Sequence, residues 1–350
     1  MAAKSVMTSD ASASFFTALP DDLLQRVLVG VPLDDHHAAA AACQAFHGVV
    51  NGPRFPALRQ KYGFAERGVV TVTVAPGDVL DIQMAHKSGI LASVPSSAMT
   101  GGSGGTSDGG NRLFVSNITH NATPNQVLTV DVSSRRWRRL AYLPQDRKEH
   151  CIEWHRGLLY VAGGWSMTSG MEDLNSLHAF NETTGSWEEL PRMPHTCTWA
   201  ASGVIGNQLF IAGGKGHEED QEDQYPTLST LQIYDFTAQT WHLGPPLPKA
   251  VQSACGLVVD DKLYVFSSIH RSFQVYDVQS NTWTEQIPPP CDFWSATHAF
   301  VHKGRIVVVE RSGAAYHRGT GSDPNHWSPF DLDMVAPGMT HGVGGSILFG

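Results

Sequence analysis

Apolar and polar positions follow two different rules along this chain, and the rules change near residue 68. Before it, Leu23, Leu24, Val27 and Leu28 recur at i, i+1, i+4 and i+5, and the run Ala38–Ala42 has the best intrinsic helix propensity. Pro20 with Asp21 and Asp22 suits a helix N-terminus. Short helices are therefore expected over residues 15–67, behind a disordered stretch at 1–14. After residue 68 the helical period disappears. VVTVTV, LFV, VLTVDV, LLYVAGG, QLFIAGG, LQIYDF, KLYVFSS, FQVYDV and RIVVVE are β-rich runs separated by Gly, Asn and Pro. MTGGSGGTSDGG at 99–110 is the one low-complexity stretch and reads as a loop.

The β-rich part repeats itself. A turn residue, then Trp four to six positions on, then Pro, recurs in VDVSSRRWRRLAYLP, FNETTGSWEELPRMP, YDFTAQTWHLGPPLP, YDVQSNTWTEQIPPP and, more loosely, RGTGSDPNHWSPFDL. The tryptophans are Trp137, Trp187, Trp241, Trp283 and Trp327. A second element precedes them as GGNRLFVSN, HRGLLYVAGG, GNQLFIAGG, DDKLYVFSS and HKGRIVVVE, and a sixth copy, VGGSILFG, ends the sequence. Four short antiparallel strands cannot bury both faces alone, so repeats of this length stack radially into a propeller. Six copies predict six blades over 68–350. The last is expected to close with strands at about 338–350 joined to N-terminal strands at about 69–95, where GVVTVTV and GILASVP look like the later two strands of the unit. Closure leaves no free sheet edge at the seam. The tryptophans are expected as anchors between blades. Gly163–Gly164 and Gly213–Gly214 mark strand ends that need positive φ or close approach; with no helix after them they are not a nucleotide fingerprint.

Composition narrows the function. Charged residues are 16% of 350, and 24 Lys+Arg against 33 Asp+Glu leave a formal charge of −9, which speaks against nucleic acid. Cys43, Cys151, Cys197, Cys255 and Cys291 are an odd number at irregular spacing with no CxxC pair, so neither a disulfide framework nor a zinc site is expected. The first fifteen residues hold no signal-like apolar core, and nowhere do 18 apolar residues run together. A reducing intracellular setting, cytoplasmic and/or nuclear, is expected, with no membrane partner. In that setting the sequons at Asn117, Asn121 and Asn181 read as chance matches in turns.

The GG after an LYV-type strand, the YD dipeptide, the Trp about six residues on and the LP after it resemble kelch repeats, across residues 69–350. FTALPDDLLQRVLVGVPLDDHHAAAAACQAFHGVVNGPRF resembles an F-box, and FPALRQKYGFAE after it is similar to the link of plant-type F-box/kelch proteins. The chain departs from that pattern at Phe46, where the family commonly has Trp, and in the alanines of its second helix. The resemblance implies a mainly β fold with a small all-α F-box module. It also implies a non-catalytic adaptor: the F-box docks the Skp-type adaptor of a cullin-based ubiquitin ligase, and the propeller holds a protein substrate. Leu19, Pro20, Leu23, Leu24, Val27, Val31 and Pro32 match the docking motif. The alternative is a kelch interaction scaffold with a degenerate F-box that recruits no ligase.

In a four-stranded blade the loop between strands two and three and the loop to the next blade emerge on one face. Aromatic and Arg residues in such loops make the best interface anchors, which selects Arg147, Trp165, Arg271, Phe293, Trp294 and Arg311 as substrate-face candidates. The acid run EEDQED at 218–223 reads as a solvated loop tip or a steering patch for a basic partner. SSRRWRRL, with Arg135, Arg136, Arg138 and Arg139, lies on an outer strand. His150, His155, His195, His298, His302 and His341 fall on or near first strands, close to the axis, but without the spacing and partners of a metal site. Because HExxH and P-loop motifs are absent as well, no cofactor, metal or catalytic residue is expected. Cys151, Cys197, Cys255 and Cys291 recur near blade starts, where small thiols suit crowded inner strands.

Overall fold

The structure, a computed structural model, describes residues 69–75, 79–84, 90–95, 105–108, 112–117, 126–131, 136–166, 168, 172–217, 226–267, 269–290, 298–302, 305–309, 314–318, 326–330, 341–342 and 347–348, with single helical positions at 28, 39, 46 and 49. Leu28 is buried and Phe46 half-buried. The docking candidates Leu19, Pro20, Leu23, Leu24, Val27, Val31 and Pro32 lie outside the described residues.

From residue 69 onward the described chain is strand, turn and loop. It opens with β1 (Val69–Ala75), β2 (Val79–Met84) and β3 (Ile90–Pro95). The first full blade is β4 (Gly105–Ser107), β5 (Arg112–Asn117), β6 (Gln126–Asp131) and β7 (Arg136–Tyr142). The second is β8 (Cys151–His155), β9 (Leu158–Ala162), β12 (Leu177–Asn181) and β13 (Ser186–Leu190), interrupted by a ribbon of β10 (Trp165–Ser166) and β11 (Glu172–Asp173). The third is β14 (Ala201–Ile205), β15 (Gln208–Ala212), β16 (Leu231–Asp235) and β17 (Thr240–Leu243). The fourth is β18 (Ala254–Val259), β19 (Lys262–Ser267), β20 (Ser272–Asp277) and β21 (Thr282–Gln286). The fifth is β22 (His298–His302), β23 (Arg305–Val309), β24 (Ala315–Arg318) and β25 (Trp327–Pro329), before β26 (His341–Gly342) and β27 (Ile347–Leu348). Each blade is a four-stranded antiparallel sheet in chain order, and together they make a β-propeller.

One further sheet joins the two ends. β1 pairs antiparallel with both β26 (Val74↔His341) and β27 (Val69↔Leu348), and with β2 on its other side. The N-terminal contribution is three strands, not the two read from GVVTVTV and GILASVP. The strand missed is VLDIQM, which carries neither the GG nor the Trp signature of the repeat.

The core lies between blades rather than within them. One cluster joins Cys151, Tyr160 and Leu177 of the second blade to Leu209, Ile211 and Tyr234 of the third; another joins Phe210, Ala212 and Ile233 of the third to Leu263, Val265 and Tyr276 of the fourth. Covered on both faces, the second strands LLYVA and QLFIA are buried over four consecutive residues, whereas the outer strand SWEEL is mostly exposed.

The repeat's Asp-to-Trp spacing has a local cause. Asp235 Oδ1 accepts the N–H groups of Thr237 (2.8 Å) and Ala238 (2.9 Å), and Asp277 Oδ1 those of Gln279 (2.9 Å) and Ser280 (3.2 Å), so each carboxylate folds its own hairpin turn. The tryptophans then tie blade to blade. Trp187 Nε1–H donates to Tyr142 O (2.7 Å), Trp241 to Pro191 O (2.7 Å), Trp283 to Pro245 O (2.9 Å) and Trp327 to Ile287 O (2.9 Å), each carbonyl belonging to the preceding repeat. Three of these rings also lie on the aromatic residue of the strand beside them: Trp187 on Phe180, Trp241 on Tyr234, Trp283 on Tyr276. They are half-buried clasps; only Trp327 is buried. Trp137 pairs with Val130 at the matching position of β7. Trp241→Phe keeps the ring contact and loses the bond to Pro191 O, so it should destabilise by about 1 kcal/mol. A lower urea midpoint at unchanged m would register this.

At the inner strand ends, Gly163 and Gly164 have φ of 64° and 89°, and a Cβ on either would sit 2.5 Å from the carbonyl oxygen of Cys197 or Lys148. Gly213–Gly214 repeats the arrangement one blade on. These glycines let the blade-joining loops lie directly on the strand ends.

Candidate functional site

Backbone hydrogen bonds gather the two kinds of loop on one face. Lys148 and Trp165 exchange both N–H···O bonds (2.8 and 3.0 Å), as do Thr198 and Lys215 (2.8 and 2.7 Å). Gly164 N donates to Cys197 O and Gly214 N to Val251 O, both at 2.7–2.8 Å. The loop joining one blade to the next is thus stitched to the loop inside the blade, which gives a rigid platform for exposed side chains.

Six places after the buried residue that opens each joining loop (Leu143, Met193, Leu247) stand Glu149, Trp199 and Ser253, with φ of 51°, 55° and 48°. Left-handed backbone is uncommon in residues other than glycine. Here it is held by a chain of bonds, Trp199 N to Glu149 O (3.1 Å) and Ala254 N to Trp199 O (3.1 Å). Burial raises the Glu149 carboxyl above the usual range, against hydrogen bonding from the Trp199 side chain and the charge of Lys148. Sequence reading missed Glu149 and Trp199. Their signal was the equal spacing from the apolar residue and Pro that open each joining loop, which only backbone geometry turns into a shared role.

Of the predicted face residues, Trp165 is half-buried beneath the Lys148 ammonium, which lies 5.4 Å from its ring centre. Arg271 is exposed at a turn with φ 44°. Near them His217 Nδ1 lies 3.9 Å from Asp173 Oδ2, and Lys249 Nζ donates to His270 O at 2.5 Å. Phe293, Trp294, Arg311 and the acid run at 218–223 lie outside the described residues.

Arg147 is not a surface anchor. Its side chain is fully buried: Nη1 donates to Gly163 O (3.1 Å), and Nη2 to Ser176 Oγ (3.1 Å) and His178 Nδ1 (3.2 Å). The reason is positional. The fifth residue from the start of the joining loop points inward, and the two following blades place Cys197 and Val251 there, both buried. In those blades Gln232 and Gln274 stand where His178 does, and their amides hold the loop backbone at His195 N (2.9 Å) and Lys249 N (3.0 Å).

His150 and His155 are packing groups. Ser116 Oγ and His150 Nε2 are 2.7 Å apart, and His155 stacks on Phe236 at 4.2 Å. Burial, with Arg147 close by, takes His150 down to about 3, so it stays neutral. Among the described residues no three His, Cys, Asp or Glu side chains come together as a metal site. Burial pushes the Cys151 thiol up to about 12, Cys255 to about 11 and Cys197 well above its usual value, which keeps all three protonated. Among the described residues His150 and these thiols are thus held neutral.

Comparison with known proteins agrees with this geometry. A family model described as "Kelch motif" matches residues 146–194 and 200–248, the second and third blades with the loops that lead into them. An F-box/kelch-repeat protein of Arabidopsis thaliana is 23% identical over 309 residues, covering 83% of this chain and 84% of that protein. Kelch-like protein 35 of Mus musculus is 23% identical over 49% of this chain, and kelch repeat and BTB domain-containing protein 12 of Danio rerio is 29% identical over 42%. The chain spans only 28% and 27% of the length of those last two. A solved structure titled "Structure of YjhT" superposes with a TM-score of 0.56 at 15% identity, covering 67% of this chain and 84% of that one. The chain carries kelch motifs on a β-propeller, a protein-interaction architecture.

Proposed function

We propose that the chain is the substrate-recognition adaptor of an SCF-type ubiquitin ligase: residues 15–67 dock a Skp-type adaptor on its cullin scaffold, and the loop face presents a protein substrate. The observation that carries this reading is the long alignment with the F-box/kelch-repeat protein, since it extends over 83% of this chain and 84% of that protein, while the kelch-like and BTB-containing relatives align over less than half of it. The adaptor performs no chemistry. It holds a substrate lysine beside a ubiquitin carried by the rest of the ligase and so turns a bimolecular transfer into an effectively intramolecular one. Leu19, Pro20, Leu23, Leu24, Val27, Val31 and Pro32 form the apolar docking stripe in this reading, and the complex works in the cytoplasm or nucleus.

The test is a Leu23→Asp, Leu24→Asp double variant of the full chain. Co-precipitation of the Skp-type adaptor and cullin should fall to background while the main thermal transition, that of the propeller, stays in place. Undiminished capture by the variant would remove the docking role from Leu23 and Leu24, and absence of capture by the parent chain would favour the second reading, a kelch scaffold independent of any ligase, to which Phe46 and the alanine-rich second helix already lean.

A further inference from the structure

Strand β7 carries a charge pattern found on no other outer strand of the five blades. Arg138 and Arg139 follow its repeat Trp, where the second blade has Glu188 and Glu189, the third His242 and Leu243, and the fourth Thr284 and Glu285. Arg135 and Arg136 precede it. Arg136, Arg138 and Arg139 are all exposed. Among the described residues the acids that face this edge are Asp131, directly across from Arg136, and Glu182 of the next blade, which takes Arg138 Nη2 at 2.5 Å and Arg112 Nη1 at 2.6 Å. Arg112 also pairs with Asp108. Among the described residues four arginines, at 112, 136, 138 and 139, thus meet three acids at one edge of a chain whose net charge is −9. Arg139 lies 4.5 Å from the ring centre of Tyr142, which is 43% exposed.

The same strand is an open edge. β7 ends the order β4-β5-β6-β7, and among the described residues its strand ladder pairs with β6 alone, with Tyr142 O at its far end taken by Trp187 Nε1–H. At seven residues it is longer than β13, β17, β21 or β25. Its register is regular from Asp131↔Arg136 to Leu128↔Arg139 and then slips before Val127↔Ala141, so the regular stretch is the one that holds the arginines. Along such an edge every second residue turns its N–H and C=O outward, and side chains two apart share a face.

We propose that this edge accepts an extended acidic segment of a partner protein as an added strand, with carboxylates at alternate positions. Residues opposite one another across a strand pair lie about 5 Å apart. Carboxylates spaced by two therefore come beside Arg136 and Arg138 together, while the partner's backbone takes up the open ladder. A polyphosphate has no strand edge to offer and meets the repulsion of the whole acidic molecule. The surface is separate from the loop face, so the inference stands apart from the ligase reading.

The probe is a fluorescein-labelled ten-residue peptide of alternating valine and glutamate, titrated with the full-length protein by anisotropy. Saturable binding that weakens as salt rises is expected, and Arg136→Gln should weaken it about threefold or more. Arg136 is outside the network around Glu182, and glutamine sets no like charge across from Asp131, so the urea midpoint of the variant should match the parent's. A peptide of five valines followed by five glutamates should bind more weakly than the alternating one. No binding by the parent protein, or equal binding by the variant, overturns the proposal. So does displacement of the peptide by a lower concentration of duplex DNA. Self-association of the variant with peptide binding unchanged would assign the arginines to keeping bare edges apart, which also overturns it.

Discussion

Replacing Arg147 with alanine should destabilise the protein by about 3–5 kcal/mol, more than any exposed candidate on the loop face. The guanidinium is fully buried, and its bonded partners, Gly163 O, Ser176 Oγ and His178 Nδ1, are all neutral acceptors. Its Nε has no hydrogen-bond partner. Burial lowers its proton affinity to about 10, partly offset by the charges of Asp146 and Glu189, so it remains a cation at neutral pH. Alanine would leave a cavity and three acceptors that lose their donor, both at full cost in an interior from which water is excluded. Methionine separates these effects from charge. It retains the volume of the stem and removes the desolvated cation, and the equivalent slots in the next two blades are filled by Cys197 and Val251. Arg147→Met should therefore lose less than half of what alanine loses. Urea unfolding of the two variants decides: if both lie within 0.5 kcal/mol of the parent, below the effect of ordinary core changes, Arg147 has no structural role.

What could be read from the sequence follows the range of each interaction. Asp235 and Trp241 belong to one hairpin, so their spacing announces the turn before any fold is known, and the same spelling recurs at Asp277 and Trp283. Arg147 could not be read correctly. Its type and loop position suggest an interface anchor, and only His178, 31 residues away on β12, shows that the side chain turns inward. The clamp it forms with His178 is replaced in the next two blades by Gln232 and Gln274, so repetition does not reveal Arg147's part in it. VLDIQM was lost for a related reason: its place is set by pairing with β1 and not by any signature of its own. On the face, Trp165 and Arg271 were found as loop residues, while Glu149 and Trp199 take their character from left-handed backbone that no local pattern prescribes.

Glu153 gives the other large effect, a fall in stability as pH rises through neutrality. The first strands ASGVI and ACGLVV carry no charged residue, so a lone carboxylate in CIEWH is the visible anomaly. Glu153 Oε1 accepts from Ser202 Oγ (2.7 Å) on the innermost strand of the third blade, and its carboxyl also bonds the Thr106 side chain on that of the first. One residue thus bridges three blades. Burial raises its pKa from 4.5 to about 7 against these two hydrogen bonds, and the thiols of Cys151 and Cys255, lifted mainly by their own burial, lie within reach of its charge. The folded protein therefore holds a proton that the unfolded chain releases near pH 4.5. Stabilisation from this group is complete below that value and is lost as pH rises through about 7. At about 1.4 kcal/mol for each tenfold difference in proton affinity, the loss between pH 5 and pH 8 is roughly 2–3 kcal/mol. Glu153→Gln keeps an acceptor for Ser202 and removes the titration. Urea midpoints of parent and variant should therefore converge near pH 5 and separate toward pH 8, where the variant becomes the more stable of the two. Parallel curves across that range would mean that Glu153 does not change its protonation on folding, and the bridge between the blades would then be a matter of packing alone.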